Sequence, residues 1–200
     1  MRTLFDETRI NGMTLRNRFV RSATWEGMCD PDGSPTERLA GCYRNLARGG
    51  VGLIITGYAF VRPDGKGLPG MMGAHDDALL PAMRRLVEEA HGEGSRICLQ
   101  LAHAGGQTTR ANAGGDTAAP SALQVPQYPE LPRELDAAEI PRLVELFAEA
   151  ACRGREAGFD AVQIHAAHGY LINQFLSPLT NRRTDRYGGD LTARSRFLLE

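Results

Sequence analysis

Residues 159–170 read Phe-Asp-Ala-Val-Gln-Ile-His-Ala-Ala-His-Gly-Tyr. The run Phe159–Ile164 has the length and apolar content of a buried strand. His165, His168 and Tyr170 follow at its C-terminal end. Side chains within a strand alternate between two faces, but beyond the strand the backbone turns and these three can converge on one point. In a parallel α/β barrel that rim is where chemistry is done.

Working outward, the chain alternates strands with helices. Asn11-Gly12 marks a tight turn, so residues 9–18 read as a small hairpin. Strands are expected at 19–23, 51–56, 96–101 and 159–165. The second is apolar on both faces, the mark of a parallel strand covered on both sides. Helices are expected at 36–48 and 77–91, and from Asp136, which forms a capping box with Glu139, to Ala157. Gly49-Gly50 and Gly158 stop two of these helices. A short helix follows at 171–176, and a last one begins near Asp190 and still runs at Glu200. Residues 104–135, rich in glycine and proline, read as one long loop, a length that usually serves function.

This is four β-α units, whereas a closed barrel needs eight. The fold class is therefore α/β, the first four units of a (β/α)8 TIM barrel, with residues 1–200 forming the N-terminal half of a single barrel domain. A small doubly wound sheet is the rival, weakened because no glycine-rich dinucleotide turn joins a strand to a helix. The four strands should be parallel neighbours in chain order.

The net charge is −1 with acidic and basic residues mixed, which argues against a nucleic-acid surface or a polybasic membrane patch. Arg182, Arg183 and Arg186, interrupted by Asp185, read as a solvated or internally paired loop. Cys29, Cys42, Cys98 and Cys152 lack close metal-ligand spacing and read as buried free thiols of a reducing compartment. The N-terminus has no apolar signal segment, and the longest apolar run, 51–61, is too short and too interrupted to span a bilayer. These features point to a cytoplasmic protein.

His103, His165 and His168 all lie at strand ends. Three imidazoles suit either a zinc centre or a set of donors for a developing oxyanion. Asp160 starts its strand and faces the opposite rim, so the carboxylate a zinc site usually adds is absent from this one. Tyr170 stays protonated near neutrality, with a phenol reference of about 10, and can serve as a general acid. Gln100 ends an apolar strand, and its amide offers both a donor and an acceptor.

Together these residues resemble the Old Yellow Enzyme family of flavin-dependent ene-reductases, also known as NADH:flavin oxidoreductases. The stretch 165–189, HAAHGYLINQFLSPLTNRRTDRYGG, is similar to the longest signature of that family almost throughout. Residues 17–23, 50–56 and 100–105 resemble its first three strand regions, in order. The resemblance implies a (β/α) barrel with FMN at its C-terminal mouth and NAD(P)H as electron source. It implies that Ser22, Ala23, Thr24 and Trp25 lie along the flavin, that Gly57 is the small residue beside it, and that Gln100 reads its pyrimidine edge. It further implies that His165 and His168 bind the carbonyl or nitro oxygen of an activated alkene, with Tyr170 as proton donor.

Two departures stand out. Trp25 occupies a position where the family often carries threonine or cysteine, and Gly27 one where some members carry an aromatic residue. The family's fifth-strand arginine and its phosphate-binding loops fall beyond Glu200.

The expected partner is a small-molecule substrate, with neither nucleic acid nor membrane, and a homo-oligomer is possible. No metal is expected under this reading. The rivals are a metal-dependent barrel hydrolase using His103, His165 and His168, and a half-barrel fragment or subunit that binds no cofactor.

Overall fold

Four parallel strands run in the predicted order in the computed structural model, which describes residues 1–200. Val20–Arg21 pairs with Leu53–Ile55, that strand with Arg96–Ala102, and the last with Ala161–Ile164, all parallel. The strands are shorter than expected, because the ladder stops where the chain turns into each rim. Every C-terminal strand end therefore faces one side, and this is what gathers the site.

The second strand has a break the sequence reading did not anticipate. The chain leaves the ladder at 56–58, then re-pairs as Ala59–Phe60 against Leu101 and Ala102, with Met72–Gly73 beyond it. At the break, the Thr56 hydroxyl accepts the Gln100 backbone N–H at 3.1 Å. A side chain thus replaces a ladder carbonyl, and Gly57 and Tyr58 are thrown onto the rim.

Residues of the long third strand alternate between two environments. Ile97, Leu99 and Leu101 join the main core against the helices. Cys98 points the other way, into a small cluster with Leu15 and Leu53, bordered by Met13, Ile55 and Ala161. Met13–Leu15 is the second arm of the N-terminal hairpin, whose first arm is Thr8–Ile10. That hairpin plugs the bottom of the inner face.

The helices begin and end where their caps dictate. In Glu37–Arg48 the Thr36 side chain accepts the Leu39 N–H, and its hydroxyl donates to the Met28 carbonyl at 2.6 Å. Replacing Thr36 by alanine is expected to cost about 1 kcal/mol of stability, measurable as a shifted denaturation midpoint. Leu80–Gly92 follows a short 3-10 turn at Asp77–Leu79. Ile140–Ala157 ends on Gly158, whose φ of 96° is left-handed and suits glycine. Asp136 and Glu139 form half the predicted capping box: Glu139 accepts the Asp136 N–H at 2.8 Å.

Several expectations are corrected. The 104–135 segment is not one open loop. It holds a short helix, Arg110–Ala113, and a parallel pair, Ala118–Ala119 with Arg133–Glu134. For the arginine cluster the internally paired alternative holds, and Arg183 is buried. Its guanidinium donates to Pro120 O at 2.9 Å and to Leu135 O, and pairs with Asp185. Only Cys98 is a buried thiol; Cys29 and Cys42 are half-buried and Cys152 is exposed. The fourth strand is also not buried. Val162 and Ile164 are each 42% exposed and Val20 is 46% exposed, because no element of residues 1–200 packs against the free edges of the first and fourth strands. No helix is long and apolar enough to cross a membrane.

Candidate active site

The opening motif does converge. The His165 ring centre lies 5.2 Å from that of His168 and 5.0 Å from that of Tyr170. The turn that achieves this is unusual, because His168 has a left-handed φ of 57° and Gly169 follows at 74°. A non-glycine residue held there stores about 1–3 kcal/mol of strain, so the surroundings must over-determine it. Gln174 supplies part of that constraint. From the short helix Leu171–Leu176 its amide donates to Gly169 O at 2.5 Å and Ala104 O at 3.2 Å, and accepts from Gly106 N at 3.1 Å. Asn173 takes the Gly169 N–H at 2.8 Å. Neither residue was singled out from sequence; the only signal was a buried-side amide in the helix after the motif.

The local hydrogen bonds also fix a tautomer. The Ala167 N–H donates to His165 Nδ1 at 3.3 Å, so in the neutral ring the proton sits on Nε2. Burial first, then the neighbouring His168, holds His165 below the usual imidazole value. The neutral form is thus favoured in the fold. The stability tied to it is full above the unfolded value of about 6.5 and is lost as pH falls through the folded one. We expect 15N spectra to show Nε2–H on His165 at neutral pH, with a titration midpoint below 6.5; an Nδ1–H form would contradict this geometry.

Tyr170 is 7% exposed. Burial, and then the phenol of Tyr58, pushes its hydroxyl well above the usual phenol range. It therefore remains a proton carrier throughout the physiological range.

Gln100 faces the inner side, as the flavin-edge reading requires. Its register partner is Gln163, and Gln100 Nε2 donates to Gln163 Oε1 at 2.6 Å. That bond leaves a carbonyl oxygen on Gln100 and an NH2 group on Gln163, an adjacent acceptor and donor that match the imide edge of a heterocycle. Gln163 was not singled out from the sequence, because nothing local to the 159–164 run shows that it faces Gln100.

Ser22, Thr24 and Trp25 are exposed along the loop after the first strand, with Ala23 half-buried. Trp25 is anchored by Nε1–H to Pro69 O at 3.1 Å. Beneath it, Glu26 pairs with Arg21 at 2.7 Å and accepts the Tyr43 hydroxyl at 3.2 Å. Burial keeps the Glu26 carboxyl above its usual range even against the Arg21 guanidinium. Gly57 backs onto this assembly: its N–H donates to Tyr43 at 3.2 Å, and an added Cβ would fall 2.5 Å from Glu26 and 2.8 Å from Thr24 O. The side chain that reaches the histidine motif from this strand is the next one, Tyr58. Its ring centre is 5.3 Å from Tyr170 and 6.0 Å from His165. Trp25, Gly57 and Tyr58 share one small crevice.

His103 does not join the other two histidines. It is 1% exposed, with Nδ1 accepting the Gly105 N–H at 3.1 Å and Nε2 facing Asp64 at 3.2 Å. Burial opposes it, but His103 and then Arg62 hold the Asp64 carboxyl well below the usual carboxylate range. With both ring nitrogens engaged elsewhere, His103 is a loop staple, and the three-histidine hydrolase reading loses its third ligand.

The model of the NADH:flavin oxidoreductase / NADH oxidase family matches residues 3–200. The chain belongs to that family. It is 44% identical over its full length to a metal reductase of Desulforamulus reducens, covering 30% of that protein. Over its full length it is 42% identical to the NADPH dehydrogenase of Bacillus subtilis, covering 58%. Among solved structures, the old yellow enzyme homologue from Zymomonas mobilis superposes with a TM-score of 0.93 at 36% identity, over 98% of this chain and 57% of the other. The chain thus spans between about a third and three-fifths of the length of these NADH:flavin oxidoreductase relatives. Its fold is the first half of the Old Yellow Enzyme barrel.

Proposed function

We propose that this chain is the N-terminal, catalytic-face half of an FMN-dependent oxidoreductase that reduces activated alkenes such as enones with electrons from NAD(P)H. The observation that carries this reading is the pairing of a His165 ring, held as the Nε2–H tautomer, with His168 and a buried, protonated Tyr170 on one rim. The residues along that rim fit a flavin. Gln100 and Gln163 present the donor–acceptor edge its pyrimidine ring needs. Residues 22–25 leave an exposed face beside them, and Gly57 keeps the strand ends close.

When bound, FMN supplies the hydride chemistry. The work of the chain is binding, polarisation and proton delivery. His165 Nε2–H and His168 hold the carbonyl oxygen of the substrate and stabilise the negative charge that grows on it. Tyr170 then gives its hydroxyl proton to the α-carbon. Trp25, where many relatives have a hydroxyl or thiol, brings neither group to the flavin, so substrate range and flavin potential should differ from theirs. The four unpaired cysteines fit a reducing, cytoplasmic setting, and small molecules are the expected partners.

The test uses the gene product that carries this chain, loaded with FMN. It should bleach with NAD(P)H and be reoxidised by 2-cyclohexenone, and Tyr170→Phe should slow the second step about 10²–10⁴-fold. A protein that binds zinc and no flavin would overturn the reading.

A further inference from the structure

An acid buried as deeply as Tyr170 poses a problem of supply. Phe60, Met71, Ala102 and Ala104 enclose it. Gly67 closes on its hydroxyl so tightly that an added Cβ would sit 3.0 Å from the oxygen. Once such a group releases its proton, a phenolate is left where water cannot solvate it, and burial penalises that charge heavily. A second proton source must lie beside it. His165 is adjacent, but its Nδ1 accepts the Ala167 N–H and its single N–H serves the substrate oxygen. Tyr58 packs against Tyr170, edge-on to its ring with centroids 5.3 Å apart and an interplanar angle of 83°, and is half-exposed where Tyr170 is not.

The position of Tyr58 is built in rather than incidental. The Thr56 hydroxyl bond breaks the ladder. Gly57 is pinned by Tyr43 and has no room for a side chain. The first side chain past the break must therefore point into the rim.

We propose that Tyr58 relays a proton to Tyr170 during alkene reduction. This rests on the ene-reductase reading given above. As the Tyr170 O–H bond breaks and its proton forms the new C–H bond at the α-carbon, the Tyr58 O–H proton moves to the Tyr170 oxygen. Tyr58 recovers its proton from water on its exposed side. Nothing in the relay is oxidised or reduced, and no buried phenolate accumulates. Tyr58 acts through Tyr170 and is a positioning and relay residue.

The test follows reoxidation of the reduced, FMN-loaded enzyme by 2-cyclohexenone, which needs carbon protonation, and by a quinone, which is protonated only on oxygen. Tyr58→Phe should slow the enone reaction about tenfold relative to the quinone reaction, short of the 10²–10⁴ of losing the acid itself. In mixtures of light and heavy water the wild-type enone rate should give a curved proton inventory, from two protons in flight, and Tyr58→Phe a linear one. Added imidazole should restore part of the lost rate. Calorimetric titration with 4-hydroxybenzaldehyde, a readout independent of turnover, should show that the variant retains a formed site. A linear inventory in the wild type, or an equal loss in both reactions, overturns the relay. A wild type that reduces quinones but not enones removes the underlying reading and the relay with it.

Discussion

Replacing His165 by alanine in the FMN-loaded enzyme is expected to lower kcat/KM for an enone by about 10²–10³, equivalent to about 2.7–4 kcal/mol of transition-state stabilisation. The size follows from the environment. His165 is 6% exposed, its Nδ1 takes the Ala167 N–H, and no protein group takes up its remaining N–H. A donor preorganised in a poorly solvated site costs no reorganisation as charge develops, and water entering an alanine cavity does not reproduce it. Removing His168 as well should add less than a second full factor, because two donors to one oxygen act as a unit. Affinity for a phenolic inhibitor should fall in parallel. Steady-state kinetics and a phenol titration check this; a double variant with unchanged turnover and unchanged phenol affinity would sink the oxyanion role.

Residues 1–200 produced as an isolated polypeptide are expected to self-associate and to hold FMN well below one per chain. Phe19 and Val20 at one free edge, and Val162 and Ile164 at the other, are exposed apolar side chains at edge strands whose outer sides are unpaired. Leu198 and Leu199 extend the apolar surface, and the groove beside the fourth strand is lined by Val144, Phe147, Ala151 and Ile172. Open apolar edges template pairing with further chains, and patches of this kind invite association. Sedimentation and flavin absorbance after gel filtration report the outcome. A yellow, monomeric, cooperatively unfolding 200-residue species would show that half a barrel suffices.

Much of the fold was legible in the sequence because it depends on local chemistry. Four apolar runs and their glycine-stopped helices gave the β-α alternation, and Gly49 and Gly158 end their helices where a stop was expected. The motif from His165 to Tyr170 was legible too, since three functional residues crowd into six positions after one strand. The long signature around it carried the family assignment.

What only the tertiary structure decided is everything that depends on partners distant in the chain. His103 looked equivalent to His165, yet Asp64, 39 residues earlier, draws it out of the site. Gln163 was one residue of an apolar run, and only the register sets it against Gln100. The fourth strand looked buried because its composition is that of a buried strand, but burial is a property of neighbours, and none of residues 1–200 covers its free edge. Tyr58 carried no motif; the Thr56 hydroxyl, by taking a ladder hydrogen bond, turns the chain and sends that phenol to Tyr170. Periodicity and turn chemistry act over a few residues and are written in the sequence, whereas register, edge exposure and the direction of a rim side chain are set by contacts across tens of residues.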